Sequence, residues 1–383
     1  MHATTNGEDL RKALATLKRI TGRAMMPATA LAEVTANAAG SVTVRRTNAS
    51  EQATASVATS GEVTPGSVTV DAAALADALG KAKGNVTLTV PFGAADVLTV
   101  AAGGALASVP IAPNAADFPA ADGNDYGEHV ATVTASEAAA LASVLKASGP
   151  SDGSGRAVLA TVAITANGDG SGEAVATDTY RMHVARIGRV SGSADATYLL
   201  PADVAALAAK NGKYGVSVHG TQDGGRFSLT FGTDAGPRAA KRGTHYRVTG
   251  YFVEGPYPNY RALMPDAADV ATSWTFADAA GTADVIAAFR NRENTPAVLM
   301  PAGSAVAVTA TFRDGTKRDA LAPFATDGDA IGLDPSIAFN PAYLAEALRH
   351  AGDEGTVRLR SASKGALIEG ENTYALLMPM RIS

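Results

Sequence analysis

Cysteine is absent from the 383 residues, which excludes disulfide frameworks, thiolate metal sites and cysteine nucleophiles. Aromatic side chains are scarce at 5%, with Trp274 the only tryptophan. Alanine and valine must therefore fill much of the interior, and a sugar-binding face lined with exposed Trp and Tyr lacks its material. No apolar run reaches the roughly 18 residues of a membrane-spanning helix. The opening stretch, Met1-His-Ala-Thr-Thr-Asn-Gly-Glu-Asp9, has neither the basic nor the apolar region of a secretory signal. These features predict a soluble, cytoplasmic protein with no membrane partner. Positive charge is not in excess either: the net charge is −5 and the pI about 5.7. A nucleic-acid contact would have to come from a local basic surface, since no global basic field exists.

Signatures of catalysis are missing as well. The six histidines never fall four apart, and no H-E-x-x-H motif occurs. Gly168-Asp-Gly-Ser-Gly172 lacks the Lys-Ser/Thr of a phosphate loop and is followed by a strand-like Ala174-Val-Ala, so it reads as a hairpin turn. Asp327-Gly-Asp329 lacks the later oxygen ligands of a calcium loop, and no G-x-S-x-G elbow is present. The expectation is a non-enzyme that needs no cofactor and no metal.

What is present is repetition. Val68 to Leu79, Tyr198 to Ala208 and Ile337 to Leu348 each read as a short strand, a capping residue and an amphipathic helix. Asp71 and Asn340 are good N-caps, and Pro201 and Pro341 suit the first helical position. An earlier helix precedes each: Glu8 to Ile20, about Ser136 to Lys146, and about Ala283 to Arg290. Period-2 segments lie between them, including 41–46, 85–90, 158–164, 216–219, 227–231, 305–312 and 356–360. Asp314–Ser336 reads as a long loop. Equivalent helices recur roughly every 130–145 residues, about one ordinary domain. The pattern is α+β: three similar domains (1–124, 125–267, 268–383), each with two helices on antiparallel sheets.

Two further features need partners. Tyr374 to Met378 reads as a buried last strand, ended by Pro379, because leaving Leu376, Leu377, Met378 and Met380 in water would forgo roughly 1.5–3 kcal/mol each. Basic residues recur on or just after the helices of all three repeats: Lys12, Arg19, Arg23, Lys81 and Lys83, then Lys146, Lys210 and Lys213, then Arg290, Arg292 and Arg349. Each alone suits a helix end; together they suggest a phosphate-binding surface.

Several segments, in order along the chain, resemble those of bacterial β sliding clamps, the processivity factors of the replicative DNA polymerase. Ala176-Thr-Asp-Thr-Tyr-Arg-Met182 is similar to their Ala-Thr-Asp-Gly-His-Arg-Leu, and Tyr257-Pro-Asn-Tyr260 to their Phe/Tyr-Pro-Asp-Tyr. Phe339-Asn-Pro-Ala-Tyr343 resembles Phe-Asn-x-x-Tyr, and Met378-Pro-Met-Arg-Ile382 resembles the terminal Met-Pro-Met-Arg-Leu. Asp117-Phe-Pro119 resembles the stretch closing the first domain. The resemblance implies three clamp domains per chain and a head-to-tail homodimer closed into a ring around duplex DNA. It implies sequence-independent phosphate contact, by Lys12, Arg19, Arg23, Lys81, Lys83, Lys146, Lys210, Lys213 and Arg349. It also implies a groove between domains 2 and 3 for short peptides of the replicative polymerase, clamp loader and repair polymerases. The groove residues would be Leu159, Thr177, Thr179, Tyr180, Arg181, Met182, Pro258, Ala262, Leu263, Asn340, Tyr343 and the terminal Leu376, Leu377, Met378, Pro379, Met380 and Arg381.

Some positions depart from the family. Thr179 and Tyr180 replace the usual Gly-His, Ala262 stands where many members carry a long basic side chain, and Ser383 is additional. These changes also suit a specialised or phage-borne second clamp with altered partner binding. The rival readings are a β-rich binding module and a hydrolase. The first lacks exposed aromatics, and the second lacks clustered titratable residues.

Overall fold

A computed structural model describes every residue except 23–25, 49, 81, 92–95, 122–126, 151–154, 194–195, 212–214, 222–224, 233–242, 267–268, 327–335 and 383. The chain divides into two compact units, Met1–Ala138 with Ala206–Phe252 and Ala139–Ala205 with Val253–Ser383.

In the first unit, helix α1 (Gly7–Thr21) starts where the Asn6 side chain accepts from the Glu8 and Asp9 amides. Its apolar spacing buries Leu10, Leu14 and Leu17 and leaves Lys12 and Arg19 exposed. Helix α2 (Ala72–Leu79) is capped by Asp71 in the same manner. An eight-stranded antiparallel sheet runs in the order Gly66–Asp71, Leu31–Asn37, Ser41–Thr47, Gln52–Ala58, Thr244–Tyr251, Arg226–Gly232, Val216–Gly220, Glu128–Val133. A separate four-stranded sheet joins His2–Asn6, Asn85–Thr89, Val97–Ala102 and Ala105–Pro110, with the last at an edge.

The second unit has the same plan. Its larger antiparallel sheet runs Thr197–Pro201, Thr161–Ala166, Ser171–Thr177, Arg181–Arg189, Thr373–Leu377, Ala366–Glu369, Gly355–Leu359, Thr272–Phe276, Ala325–Thr326. The smaller runs Lys317–Ala322, Ala305–Thr311, Ala297–Ala302, Ile337–Phe339, with Lys317–Ala322 at an edge. The boundary between the units falls within helices α3 (Ala135–Val144) and α4 (Ala202–Asn211). Helices α5 (Ala279–Ala287) and α6 (Pro341–Ala351) pack together over a core holding Trp274, Phe276, Phe289 and Phe339. Asn340 caps α6 and Pro341 opens it, where a missing N–H is harmless.

The α+β reading and most elements match, with five differences. Pro201 is the last strand residue rather than the first helical one, since α4 begins at Ala202. Helix α5 starts four residues earlier than its apolar spacing predicts, because Asp278 accepts from the Gly281 amide at 2.8 Å. A Cβ at Gly281 would lie 2.2 Å from the Asp278 carboxylate, so a larger residue there would make the capping side chain shift. The expected 158–164 strand begins at Thr161, since Ala157–Leu159 forms a 3-10 turn. Within the expected 314–336 loop, Lys317–Ala322 pairs with Ala305–Thr311 through a turn at Gly315, φ +81°; its charged residues hide the strand period. Finally, the last strand stops at Leu377, and Met378 is 42% exposed.

The Gly168–Gly172 stretch is a hairpin turn, with Ala166 opposite Gly172 and Gly170 at φ +81°. Among the described residues, no helix is long and apolar enough to cross a membrane.

Candidate functional site

The site lies in the second unit, where the hairpin joining Ser171–Thr177 to Arg181–Arg189 meets the last strand. Thr177 stands opposite Met182, leaving Asp178, Thr179 and Tyr180 as the loop. Asp178 Oδ1 accepts from the amides of Tyr180 (2.9 Å) and Arg181 (3.0 Å), and Thr177 Oγ1 donates to the Arg181 carbonyl at 2.7 Å. The loop obliges Thr179 to adopt φ +79°, a conformation that strains a β-branched residue and suits glycine. Tyr180 is then thrown outward, 67% exposed.

The last strand pairs antiparallel with this hairpin, Leu376 opposite Met182 and Leu377 opposite Arg181. Side-chain alternation along a strand sends neighbours to opposite faces. Leu376 packs with Met182, Leu199 and Tyr260, whereas Leu377 enters the core around Trp274. The Met378 amide donates to the Tyr180 carbonyl at 2.9 Å, which extends the pairing past the strand end.

Segment 256–263 supplies the facing wall. Together these elements form an open cleft, lined by Arg156, Thr177, Thr179, Tyr180, Arg181, Met182, Pro256, Pro258, Tyr260, Leu263, Leu376 and Met378. Met182 and Leu376 form its buried floor, and Leu263 (54% exposed) and Met378 form its rim. An apolar trough with a few polar groups at its margin suits a short apolar ligand.

Three polar clusters support the cleft. The Arg181 guanidinium pairs with Asp178 at 3.1 Å and with Glu346 of α6, and lies 3.9 Å above the Tyr343 ring. Glu173 Oε2 accepts from Tyr260 at 2.6 Å and Oε1 from Tyr374 at 2.9 Å. Burial first, and then the Glu173 carboxylate, push both phenols above their ordinary pKa. Behind the hairpin, His183 and His350 stack with ring centroids 4.5 Å apart. Ser143 bonds both rings, through its carbonyl to His183 at 2.9 Å and its hydroxyl to His350 at 2.6 Å. Burial lowers His183 to about 3, with the neighbouring His350 adding to the effect, and burial lowers His350 to about 4.

The remaining expected groove residues lie elsewhere in this unit. Leu159 is buried in its 3-10 turn and Ala262 is exposed. Asn340 caps α6, and Tyr343 lies beneath Arg181. Pro379 and Met380 are partly buried, the Met380 amide donating to the Ala338 carbonyl at 2.7 Å, and Arg381 is exposed. Sequence reasoning passed over Arg156, Pro256 and Tyr260. Tyr260 was legible in the Tyr257-Pro-Asn-Tyr260 segment, but nothing local signalled that its ring would line a cleft.

The basic residues on the helices are surface groups. Arg19, Lys83, Lys146 and Lys210 are exposed. Lys12 pairs with Glu8 at 2.8 Å, and Arg349 with Asp284 at 2.5 Å. Arg23, Lys81 and Lys213 lie outside the described residues.

No protein-family model and no curated protein sequence matches the chain. Solved structures do, over the full length of both chains. The DNA polymerase III subunit beta from Pseudomonas aeruginosa aligns with TM-score 0.80 at 18% identity. The sliding clamp from the same organism bound to griselimycin aligns with TM-score 0.82 at 18% identity, and the sliding clamp from Caulobacter crescentus with 0.78 at 20%. The chain has the fold of bacterial DNA polymerase III β sliding clamps.

Proposed function

We propose that this chain is a DNA sliding clamp: a non-catalytic ring that encircles duplex DNA and tethers polymerases through the cleft beside its last strand. The observation that carries this reading is the coincidence of a full-length clamp fold with an apolar cleft lined by the clamp-like Thr177–Met182 and Leu376–Met378 segments. Such a protein needs no reaction chemistry. It raises the effective concentration of whatever it tethers.

Three repeats (1–124, 125–267, 268–383) fit the arrangement, with strands of the middle one contributing to the large sheets of both units. Ring closure would use the two sheet edges. Ala105–Pro110 and Lys317–Ala322 are edge strands, and they carry the exposed Leu106 (72%) and Leu321 (66%). An unpaired edge with an exposed leucine is a template for another chain, and pairing one kind of edge with the other gives a head-to-tail dimer. The exposed helix cations would meet phosphates without reading bases.

The cleft supports a partner peptide carrying leucine or phenylalanine, as polymerases, a clamp loader and repair polymerases would present. Thr179 at φ +79°, the outward Tyr180 and the short Ala262 favour a specialised clamp with altered partner preference.

The test is retention on circular against linearised DNA, together with titration of a labelled clamp-binding peptide. A clamp stays on circles and slides off linear ends. Leu376→Ala should weaken the peptide by roughly 1–3 kcal/mol, about five- to hundred-fold, with the dimer intact. Tyr180→His should improve binding of peptides that suit typical clamps. Equal binding by all three proteins would put the peptide site elsewhere, and a monomer in light scattering would remove the ring.

A further inference from the structure

A carboxylate at the back of the cleft has no role in the reading above. Glu173 lies in the Ser171–Thr177 strand and is only 8% exposed. A buried carboxylate is costly unless its oxygens are filled with strong donors. Here they are. Oε1 takes the Tyr374 hydroxyl at 2.9 Å, and Oε2 takes the Tyr260 hydroxyl at 2.6 Å and the Arg261 guanidinium at 3.3 Å. The short Tyr260 contact is that of a charge-assisted bond.

The donors come from two different parts of the cleft. Tyr374 sits on the last strand, two residues before Leu376, so both side chains leave the strand on one face. Tyr260 and Arg261 begin the 3-10 turn that presents Leu263 at the rim. One side chain therefore ties the wall, 256–263, to the floor. The wall has other ties: the Tyr257 hydroxyl donates to the Val175 carbonyl at 3.2 Å, the Tyr260 hydroxyl and Arg261 meet Thr165 Oγ1 at 3.2 and 3.5 Å, Arg261 reaches Asn167 at 2.6 Å, and Arg360 donates to the Leu263 carbonyl at 3.5 Å. The Glu173 carboxylate differs from these in also taking a hydroxyl from the last strand. Apolar packing alone would let this wall slide, because dispersion contacts are not directional. Hydrogen bonds to a fixed carboxylate are.

We propose that Glu173 is the positioning residue of the cleft: its carboxylate clamps Tyr260 and Tyr374 together, holds wall against floor, and thereby sets affinity for the apolar ligand. The affinity half rests on the clamp reading of the cleft, whereas the hold on the wall does not. Glutamine keeps one acceptor oxygen but turns a donor toward a phenol or Arg261, so Glu173→Gln should give an intermediate phenotype. Leucine keeps the volume and removes both acceptors.

Two measurements on the full-length protein decide it. Amide hydrogen exchange reads the wall through the Leu263 and Met264 amides, which donate to the Tyr260 and Arg261 carbonyls at 3.0 and 3.2 Å. In Glu173→Leu these should exchange about tenfold faster or more, with the Thr272–Phe276 and Gly355–Leu359 strands unchanged. Peptide titration should show about tenfold weaker binding for Glu173→Leu and a smaller loss for Glu173→Gln. Tyr260→Phe should cost affinity in the wild type and much less beside Glu173→Leu, where the hydroxyl keeps only its 3.2 Å contact with Thr165 Oγ1. Unchanged exchange at Leu263 and Met264 overturns the proposal, and so does unchanged affinity despite faster exchange. Uniform acceleration across the whole unit would also overturn it, by making Glu173 a general stability residue. If the wild type binds no peptide, the clamp reading of the cleft falls, and exchange alone decides the carboxylate's hold on the wall.

Discussion

The two units use one sheet plan and put different chemistry into it. Strand for strand, Gly66–Asp71 through Gln52–Ala58 in the first unit correspond to Thr197–Pro201 through Arg181–Arg189 in the second, and each series then pairs with a strand from much later in the chain. Even the hairpin turns agree. Asn48 Oδ1 accepts from the Ser50 and Glu51 amides at 3.0 and 2.8 Å, as Asp178 does from Tyr180 and Arg181. What differs is how the following segment is held down. In the first unit Arg45 donates to the Pro119 carbonyl at 2.7 Å and stacks over Phe118, while Gln52 donates to the Ala120 carbonyl. In the second, tyrosine hydroxyls and a buried carboxylate hold the 256–263 segment, leaving an open apolar cleft. Architecture is thus shared, and the cleft follows from a few side chains placed on it.

Acid should separate the units most strongly. His183 and His350 are held neutral by burial at about 3 and about 4, against an ordinary 6.5. The unfolded chain takes up these protons first, so stability is full above about pH 6.5 and falls as pH drops toward the folded values. By pH 5 the loss is roughly 2 kcal/mol per ring. Hydrogen exchange at pH 7 and pH 5 should show the second unit losing protection around 183–184 and 350 while the Ser41–Thr47 strand keeps it. Equal loss in both units would break the contrast.

Arg181→Ala comes next. It strands Asp178 and Glu346 without their cation, at 14% and 27% side-chain exposure, and should cost roughly 2–4 kcal/mol in a urea melt. Thr179→Gly should act in the opposite direction. Relieving φ +79° should stabilise the hairpin by about 1 kcal/mol net of glycine's entropy, read as a raised melting temperature. A fall in melting temperature would mean that the Thr179 side chain contributes more than its backbone strain costs.

The smallest effect concerns DNA. Lys12 and Arg349 already have carboxylate partners, and Lys210 is exposed with no such pair described. On the clamp reading proposed above, Lys210→Ala should lower the salt slope of DNA retention by about one, and Lys12→Ala by less. Equal slopes would show that the surface pairs open freely on DNA.

Local rules in the sequence determined the elements. Asp71 and Asn340 announce their helices because a cap is a contact between neighbours. Leu10, Leu14 and Leu17 announce a buried face because 3.6-residue spacing puts them on one side. The strand–helix pattern recurring at Gly66–Leu79, Thr197–Asn211 and Ile337–Ala351 was legible from the same local signals. Tertiary structure alone decided which side chains meet. Glu173 reads as one charged residue in a strand until Tyr260 and Tyr374, 87 and 201 residues away, close over it. His183 and His350 look like two unrelated histidines until their rings stack and Ser143 of α3 bonds both. Leu376 and Leu377 are indistinguishable in composition, yet strand alternation sends one to the cleft and the other to the core. Such pairings depend on long-range register, which no local pattern encodes.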